Sequence, residues 1–260
     1  MKQIVRADNW EALREFTDAR IALGRTGTSI PLKHELAFKL AHAHARDAIH
    51  SIMDIDALLT GLRLFDLPML VLSSQATNRA EYLKRPDLGR LPAEASMTTV
   101  AEFASPGDLA IVIADGLSAT AINRNVIPLL TILIPKLKAA GCILCPLSLV
   151  QQGRVAIGDP IAAGLDAKMV LVLIGERPGL SSPDSVGAYL TYQPKPGLTD
   201  ESRNCVSNIR PQGLSFERAA ETIFFLITES LRRKISGTQL KNQTGAIKNE
   251  PGAVSGNSPA

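Results

Sequence analysis

The residues best suited to chemistry are Glu176 and Arg177, a carboxylate and a guanidinium that follow an apolar run over 169–174. An uninterrupted apolar run of this length is typical of a strand buried on both faces of a parallel sheet. Gly175 ends the run, and the Pro-Gly pair at 178–179 indicates a turn. Because open α/β sheets bind ligands at the carboxyl ends of their strands, Glu176 is a candidate ligand contact. A surface ion pair between Glu176 and Arg177 would explain the same two residues.

A second reactive group is the thiol of Cys205, in a segment over 202–213 that is rich in amide and hydroxyl side chains. We predict a polar loop there, in which a thiol acts as a nucleophile only when a base lies beside it. The sequence shows no such base. Cys142 and Cys145 have the spacing of a zinc or redox pair, but residues three apart on a strand point to opposite faces, so we interpret them as core thiols. Three cysteines, an odd number, indicate a reducing compartment.

Histidines and serines are the remaining side chains that could form a catalytic set. His34, His42, His44 and His50 lie in or beside a helix predicted over 32–49. Asp47 is the only nearby carboxylate on the later turns of that helix, and it does not share the face of His42, so we predict no metal site. A serine hydrolase would need a Gly-x-Ser-x-Gly turn and a histidine, but the sequence has no such turn and no histidine after His50. We therefore predict no catalytic residues of its own for this chain, which indicates a binding protein or a subunit that shares its site.

The sequence over 106–236 alternates between strand and helix patterns. Strand–helix–strand units of this spacing predict right-handed crossovers and a parallel sheet, which is a Rossmann-like architecture of the α/β class. The turn at 115–119 holds one glycine, whereas dinucleotide binding requires Gly-x-Gly-x-x-Gly, so we exclude a nicotinamide cofactor. Ser118 in that turn is a candidate N-cap for the next helix. The predicted strands cover 109–114, 142–147 and 169–174, and the predicted helices cover 119–140 and 158–165.

The regions on either side of this domain have different patterns. Residues 1–105 are predicted to form a mainly helical N-terminal segment with connecting loops, among them a basic, turn-rich surface or recognition loop over 78–90. From 237 to 260 the composition turns to Asn, Gln, Gly, Ser and Pro, which predicts a disordered tail. The sequence thus divides into a helical segment, a Rossmann-like domain and a tail.

Composition and charge exclude several classes of function. The formal net charge is +3 and no dense Lys/Arg stripe occurs, so we predict no nucleic-acid partner. Hydrophobic residues make up 45% of the chain, but no apolar run approaches the length of a membrane span. Residues 1–8 are charged and lack the apolar core of a signal peptide. These observations predict a cytoplasmic protein without a membrane partner.

Six short stretches of the sequence resemble one known family. They occur in the family's order over roughly residues 15–236, and their combination is far more specific than any one of them. The stretches are 19–25 (ARIALGR), 44–48 (HARDA), 85–90 (RPDLGR), 115–118 (DGLS), 175–179 (GERPG) and 205–209 (CVSNI). On this ground the chain resembles the small, or light, subunits of ethanolamine ammonia-lyase.

The resemblance implies a reaction and a cofactor. Such enzymes use adenosylcobalamin to convert ethanolamine to acetaldehyde and ammonia, and a large subunit holds the substrate. The corrinoid lies between the two chains, and the assembly is a hetero-oligomer of large–small pairs. The cofactor contacts of the family's small subunit carry over to Val155, Glu176 and Cys205. The sequence also lacks Asp-x-His-x-x-Gly, which implies that the cofactor's own base stays on cobalt.

Two hypotheses follow from the sequence. In the first, the chain is the small subunit of an adenosylcobalamin-dependent lyase and is inactive alone. In the second, it is a stand-alone, non-catalytic module that binds a corrinoid or a nucleotide and needs no large subunit. Some family members carry an N-terminal extension regarded as an address to a bacterial microcompartment. This sequence begins almost at the matched region, so we expect the cytoplasm, with a microcompartment as the alternative location.

Overall fold

The fold is built around one six-stranded sheet with helices on both sides. The structure, a computed structural model, describes residues 5–240 of the 260-residue chain. The strands are β1 (Met69–Ser73), β2 (Gly107–Ala114), β3 (Leu147–Gln151), β4 (Ala167–Gly175), β5 (Val186–Tyr192) and β6 (Arg203–Ile209). The α-helices are α1 (Leu32–Ile49), α2 (Ile55–Leu62), α3 (Arg79–Lys84), α4 (Glu94–Glu102), α5 (Ala119–Ala139), α6 (Gly158–Gly164) and α7 (Phe216–Arg233).

The sheet is mixed, with the strand order β1-β3-β2-β4-β5-β6. The first four strands in that order run parallel, whereas β5 pairs antiparallel with both β4 and β6. The predicted α/β class is confirmed, and the prediction of a parallel sheet is wrong for β5. A parallel crossover needs about a dozen residues or more. The connections over 176–185 and 193–202 are shorter than that and contain no α-helix, so β5 returns antiparallel beside β4.

The strand predicted over 142–147 is displaced along the chain, since β3 begins only at Leu147. The preceding residues instead complete the end of α5. Gly141 has φ +75°, and the amide of Cys142 donates a hydrogen bond to the Leu137 carbonyl (3.0 Å). A glycine in the left-handed region commonly closes a helix in this way. The apolar residues directly after Gly141 therefore belong to the connection between α5 and β3, and the strand begins only after them.

The central strands β2 and β4 confirm the strands predicted over 109–114 and 169–174. Their side chains alternate between two hydrophobic cores, because successive residues of a strand point to opposite faces. Helices α2, α5 and α7 cover one face of the sheet, and α4 and α6 cover the other. Each fully buried aliphatic side chain contributes about 1.5–3 kcal/mol. These two cores therefore hold the carboxyl ends of β2 and β4 firmly in place.

Helix α5 leaves the carboxyl end of β2 through the turn at 115–118. Ser118 is its N-cap, because the hydroxyl oxygen accepts a hydrogen bond from the Ala121 amide (3.3 Å), which confirms the predicted cap. The same hydroxyl donates to the Pro183 carbonyl (2.8 Å). Ser118 thus joins the start of α5 to the connection between β4 and β5.

The region before β2 contains helices α1–α4 and also the edge strand β1, which pairs with β3. Helix α1 matches the helix predicted over 32–49, and within it only Ala45 and Ala48 are buried. The loop predicted over 78–90 instead contains α3, whose Tyr82 is fully buried. Its basic composition was misleading, because arginines cover the tyrosine ring. None of the helices within residues 5–240 is long and apolar enough to span a membrane.

The C-terminal end of the described chain packs against β6. Gly237–Gln239 forms a short 3-10 helix, and Leu240 is only 2% exposed. The Asn204 side chain donates hydrogen bonds to the carbonyls of Gly237 (3.0 Å) and Leu240 (2.8 Å). The predicted disordered tail is therefore wrong over 237–240, because a polar composition does not reveal that one leucine completes a core. The rest of that predicted tail, 241–260, lies outside the described residues.

Candidate functional site

The carboxyl ends of β2 and β4 meet at one edge of the sheet, where Ala114 pairs with Ile174. A cavity of about 420 Å³ opens there. Helix α3, the turns after β2, β3 and β4, and one residue of β5 form its walls. The lining residues are Tyr82, Gly116, Leu117, Arg154, Val155, Ile174, Gly175, Glu176, Arg177 and Tyr189. The cavity lies at the edge where the sequence predicted ligand binding, and we call it the edge cavity.

Two glycines allow the turns after β2 and β4 to touch. Gly116 has φ +57°, and a Cβ placed on it would collide with the Gly175 carbonyl oxygen. A Cβ on Gly175 would collide with the Ser118 carbonyl oxygen. The Leu117 amide donates a hydrogen bond to the Gly175 carbonyl (2.9 Å). This part of the cavity wall is therefore backbone packed against backbone, which leaves little freedom in its shape.

Glu176 lines the edge cavity with a carboxylate that is held at one oxygen. Its Oε2 accepts hydrogen bonds from the Ser185 hydroxyl (2.7 Å) and the Asn208 amide (3.2 Å). Across residues 5–240 no ion pair joins Glu176 to Arg177, so the surface-pair interpretation does not describe this site. Hydrogen bonds to a charged acceptor fix its orientation. Both of them use Oε2, and Oε1 accepts no hydrogen bond from the residues that the structure describes.

The structure brings two of the three predicted cofactor contacts to the same cavity. Val155 begins a 3-10 turn after β3 and lines the cavity together with Glu176. Cys205 lies on the edge strand β6, opposite Tyr189 on β5, and it is Tyr189 that lines the cavity. The polar loop predicted around Cys205 is wrong, because 203–209 form β6. An edge strand with polar, exposed positions resembles a loop when only composition is considered.

The Cys205 thiol is partly desolvated, although the residue as a whole is exposed. Burial is the main cause that raises the pKa of this thiol, and the charge of Glu176 raises it further, whereas the Tyr189 phenol acts in the opposite direction. Burial likewise raises the pKa of Tyr189. Both groups are therefore protonated near neutral pH. They can donate hydrogen bonds, but the thiol is not a ready nucleophile.

Three residues that the sequence did not single out, Arg79, Tyr82 and Arg154, form a stack beside the edge cavity. The guanidinium carbons of Arg79 and Arg154 lie 4.9 and 4.3 Å from the centroid of the Tyr82 ring. The Tyr82 hydroxyl donates a hydrogen bond to the Gly153 carbonyl (2.9 Å). Cation–π contacts of this kind hold guanidinium groups in place. No local pattern could have revealed the stack, because Tyr82 and Arg154 are 72 residues apart.

Asp115 neutralises one of the two stacked arginines. Its Oδ2 lies 3.5 Å from Arg79 Nη1, and its Oδ1 accepts a hydrogen bond from the Gly153 amide (3.1 Å). Burial is the largest effect on the pKa of Asp115 and raises it above its ordinary value, although hydrogen bonds from backbone amides and the charge of Arg79 act in the opposite direction. Arg79 also donates to the carbonyls of Ile49 (2.7 Å) and Gly116 (2.8 Å). Arg79 therefore joins the end of α1, helix α3 and the turn after β2.

A second cavity, of about 660 Å³, lies next to the edge cavity and shares Arg154 and Val155 with it. Its wall contains Asp159, whose carboxylate forms a buried bidentate ion pair with Arg203 at 2.6 and 2.8 Å. Arg203 precedes Cys205 on β6, and Asp159 follows Val155. The pair therefore fixes the turn at Val155 relative to β6. Removing one partner of such a pair leaves an uncompensated buried charge.

The fold and this edge define the chain as an α/β protein with a cavity at the carboxyl ends of its strands. The family model described as "Ethanolamine ammonia-lyase light chain (EutC)" matches residues 7–241. The chain belongs to this family. The resemblance identified from six short stretches of sequence is thereby confirmed.

Relatives of similar length agree with this assignment. The ethanolamine ammonia-lyase small subunit of Azotobacter vinelandii is 51% identical over 251 residues, which cover 95% of this chain and 93% of the relative. Small subunits of Pseudomonas fluorescens and Pseudomonas putida are each 51% identical over 94% of this chain, and the matches cover 91% and 92% of those relatives. These relatives are named as subunits of a lyase, and this chain is a lyase subunit of the same family.

Proposed function

We propose that this chain is the small subunit of an adenosylcobalamin-dependent ethanolamine ammonia-lyase, which converts ethanolamine to acetaldehyde and ammonia. In this proposal it holds one side of the corrinoid at the interface with a large catalytic subunit. The observation that carries the proposal is the meeting of Val155 and the fixed Glu176 carboxylate in one cavity at the carboxyl edge of the sheet. Family membership supports the reaction, and the name of the relatives implies the larger partner.

The residues at this edge fit a corrinoid in their chemistry. A corrinoid carries neutral amide side chains around its ring, and these groups donate hydrogen bonds. Glu176 presents a carboxylate oxygen as the acceptor, while Val155, Leu117 and Tyr189 supply apolar and aromatic contact. Because a corrinoid is larger than the edge cavity, this chain would cover only part of it. The remaining surface is left to the large subunit, as a shared site requires.

The contribution of this chain is to bind and orient the cofactor. Adenosylcobalamin, when bound, supplies the radical chemistry, and the protein positions it and excludes water. The histidines of α1 do not line the edge cavity. In the part of the chain that the structure describes, no group of three or more His, Cys, Asp or Glu side chains is placed to hold a metal ion. We assign the groups that handle the substrate to the large subunit, as the resemblance to the family implies.

Helix α1 offers a surface for that partner. Leu32, Leu36 and Leu40 are 67%, 55% and 58% exposed, and their i, i+4 spacing places them on one side of the helix. Contiguous exposed apolar surface is typical of an interaction site. We assign this stripe of leucines to the contact with the large subunit, in a hetero-oligomer of large–small pairs.

Titration of adenosylcobalamin into the complex of this chain with its large subunit tests the proposal. Glu176→Ala removes an acceptor for the corrinoid amides, and a hydrogen bond with one charged partner contributes about 1.5–3 kcal/mol. We expect the affinity for the cofactor to fall by about ten- to a hundredfold. Glu176→Gln keeps one acceptor oxygen and loses only the charge, so it should weaken binding less.

Glu221→Ala, on the exposed side of α7, is the matched control and should leave the affinity unchanged. If Glu176→Ala bound the cofactor normally, with the complex intact on gel filtration, the corrinoid would not lie at this edge. Equal affinity of the isolated chain and of the complex would favour the alternative, a stand-alone corrinoid-binding module.

A further inference from the structure

Arg154 lies between the two cavities and lines both. Its guanidinium carbon stacks 4.3 Å from the centroid of the Tyr82 ring. Its Nη2 donates a hydrogen bond to the Tyr82 carbonyl (3.4 Å), and its backbone amide donates to the Gly89 carbonyl (2.7 Å). The side chain is thus held in position by the protein itself, before any ligand binds.

Apart from its stacking on the Tyr82 ring, the charge of Arg154 has no ion-pair partner in the part of the chain that the structure describes. Its Nε is buried without a hydrogen bond, and no carboxylate there forms an ion pair with it. The nearby acids are engaged elsewhere, since Asp115 pairs with Arg79 and Asp159 pairs with Arg203. A partly desolvated cation without a partner is costly. An anionic ligand would therefore be stabilised strongly at this position.

Glu176 lies in the same cavity with the opposite charge, and no ion pair joins it to Arg154 among the described residues. Two opposite charges held apart in one cavity select different groups of one ligand. Glu176 suits hydrogen-bond donors such as amides. Arg154 suits an oxyanion, because the planar donors of a guanidinium match the oxygens of a phosphate. Cobalamin carries both kinds of group, amides around its ring and one phosphodiester in its nucleotide loop.

We propose that Arg154 binds a phosphate diester, and that this diester belongs to the nucleotide loop of the cofactor. The inference rests on the proposed function and adds the orientation of the cofactor to it. The loop lies against Arg154, between the two cavities, and the amide edge of the ring lies against Glu176. A free phosphate has the same chemistry, so the test must separate these two sources.

Two corrinoids bound by the large–small complex make the test selective. Cyanocobalamin has the nucleotide loop, whereas dicyanocobinamide has the ring and its amides but no loop. Arg154→Gln should weaken cyanocobalamin binding by about ten- to a hundredfold. It should leave dicyanocobinamide binding within about twofold. Comparing both proteins with both corrinoids forms a double-mutant cycle, which isolates the contact between Arg154 and the loop. Arg154→Lys keeps the charge but not the planar fork, and should recover part of the lost affinity. The absorption spectrum of the corrinoid reports binding without turnover.

Arg177→Gln removes a cation from the same cavity and is the control. It should not discriminate between the two corrinoids. If Arg154→Gln weakened both corrinoids by the same factor, Arg154 would only support the turn at Val155. If Arg177→Gln caused the same selective loss, the effect would be one of general positive charge. Either result overturns the proposal.

Inorganic phosphate separates the two sources of the anion. If Arg154 served free phosphate and not the loop, Arg154→Gln would bind cyanocobalamin normally in phosphate-free buffer, and the assignment to the loop would be wrong. If Arg154 holds the loop, added phosphate should compete with cyanocobalamin and weaken its binding to the unsubstituted complex but not to Arg154→Gln. If the unsubstituted complex bound neither corrinoid, the proposed function itself would be wrong. If the complex bound both corrinoids but Arg154→Gln weakened them equally, only the role of Arg154 would be wrong.

Discussion

At the scale of single residues, one side of the edge cavity keeps its ionisable groups neutral. Tyr189 and Cys205 lie opposite each other on β5 and β6, and burial raises the pKa of both. A protonated thiol and phenol suit this place, because another negative charge beside Glu176 would repel its carboxylate. This side of the site can therefore donate hydrogen bonds while Glu176 remains the acceptor.

The Cys205 thiol should react slowly with iodoacetamide at neutral pH, because the thiolate is the reactive form and its pKa is raised. We expect the midpoint of the labelling profile to lie above the ordinary thiol value of 9.0. Cys142 and Cys145, whose pKa values are raised to about 12 and about 11 by burial, should label at high pH and serve as internal references. Peptide mass spectrometry resolves the three sites. A Cys205 midpoint below the ordinary value would contradict this description of the thiol.

Residues of the site differ in how far the sequence could locate them. The position of Glu176 at the edge cavity was predictable, because the apolar run before it marks the end of a buried strand. Val155 and Cys205 came only from the family resemblance, since no pattern around them indicates a ligand. Arg154 was missed, because Tyr82 reaches it only through folding. A local pattern can find the end of a strand, but it does not report contacts between distant turns.

At the scale of elements, the junction of β2 and β4 depends on close contact between their turns. Gly116 and Gly141 both have positive φ, at +57° and +75°. Alanine in this left-handed region costs about 1–2 kcal/mol. Only at Gly116 would the new methyl group also collide with the Gly175 backbone, whereas nothing lies within 4 Å of a Cβ on Gly141. The two glycines therefore form a matched pair that separates conformational cost from steric cost.

Gly116→Ala should lower the free energy of unfolding more than Gly141→Ala does. We expect a difference of about 1–3 kcal/mol, the usual cost of forcing extra atoms into a packed region. Denaturant unfolding of the two variants measures this difference. Equal losses would show that the turns after β2 and β4 separate at little cost, contrary to the rigid wall described above.

Truncation after Ser236 should destabilise the fold, because it removes the buried Leu240 and two hydrogen bonds from Asn204. Burial of a leucine contributes about 1.5–3 kcal/mol and each of the two hydrogen bonds about 0.5–1.5 kcal/mol, so the free energy of unfolding should fall by about 2.5–6 kcal/mol. Truncation after residue 241, where the family match ends, is the control. The sequence beyond it is rich in Asn, Gly, Ser and Pro, and we expect stability to stay near that of the full chain. Thermal unfolding of the two truncated forms measures the difference in stability. Equal midpoints would exclude a structural role for Leu240.

Elements with a strong local pattern were predicted from sequence, and those defined by pairing were not. The long helix over 32–49 and the apolar runs of β2 and β4 have patterns that only one kind of element satisfies. The direction of β5 depends on which strand it joins, and the start of β3 depends on how α5 ends at Gly141. Both involve segments that are neighbours in sequence, but strand pairing and the way α5 ends decide them, and the apolar pattern of either segment does not. The resemblance to the family did not supply them either.

At the scale of the whole molecule, the proposed function makes this chain one half of a shared site. We expect the isolated chain with adenosylcobalamin to release no acetaldehyde from ethanolamine, because its edge cavity holds binding groups without a catalytic set. Addition of the large subunit should restore the reaction, which a coupled alcohol dehydrogenase assay detects. Acetaldehyde release by the isolated chain would contradict a shared site. Full activity of the large subunit alone would show that this chain is not needed for the reaction.

The order of strands in the sheet also determines how long each strand lacks its neighbour while the chain is being synthesised. β1 pairs with β3, so it waits while α3, α4, β2 and α5 are made. At the opposite edge, β6 can pair at once with β5, but its outer edge stays uncovered until the segment ending in Leu240 is made. Chains leave the ribosome amino-terminal end first, and an unpaired strand is a template for other chains. Nascent chains on neighbouring ribosomes are therefore most prone to aggregate in two intervals, one before β3 emerges and one before residue 240 does.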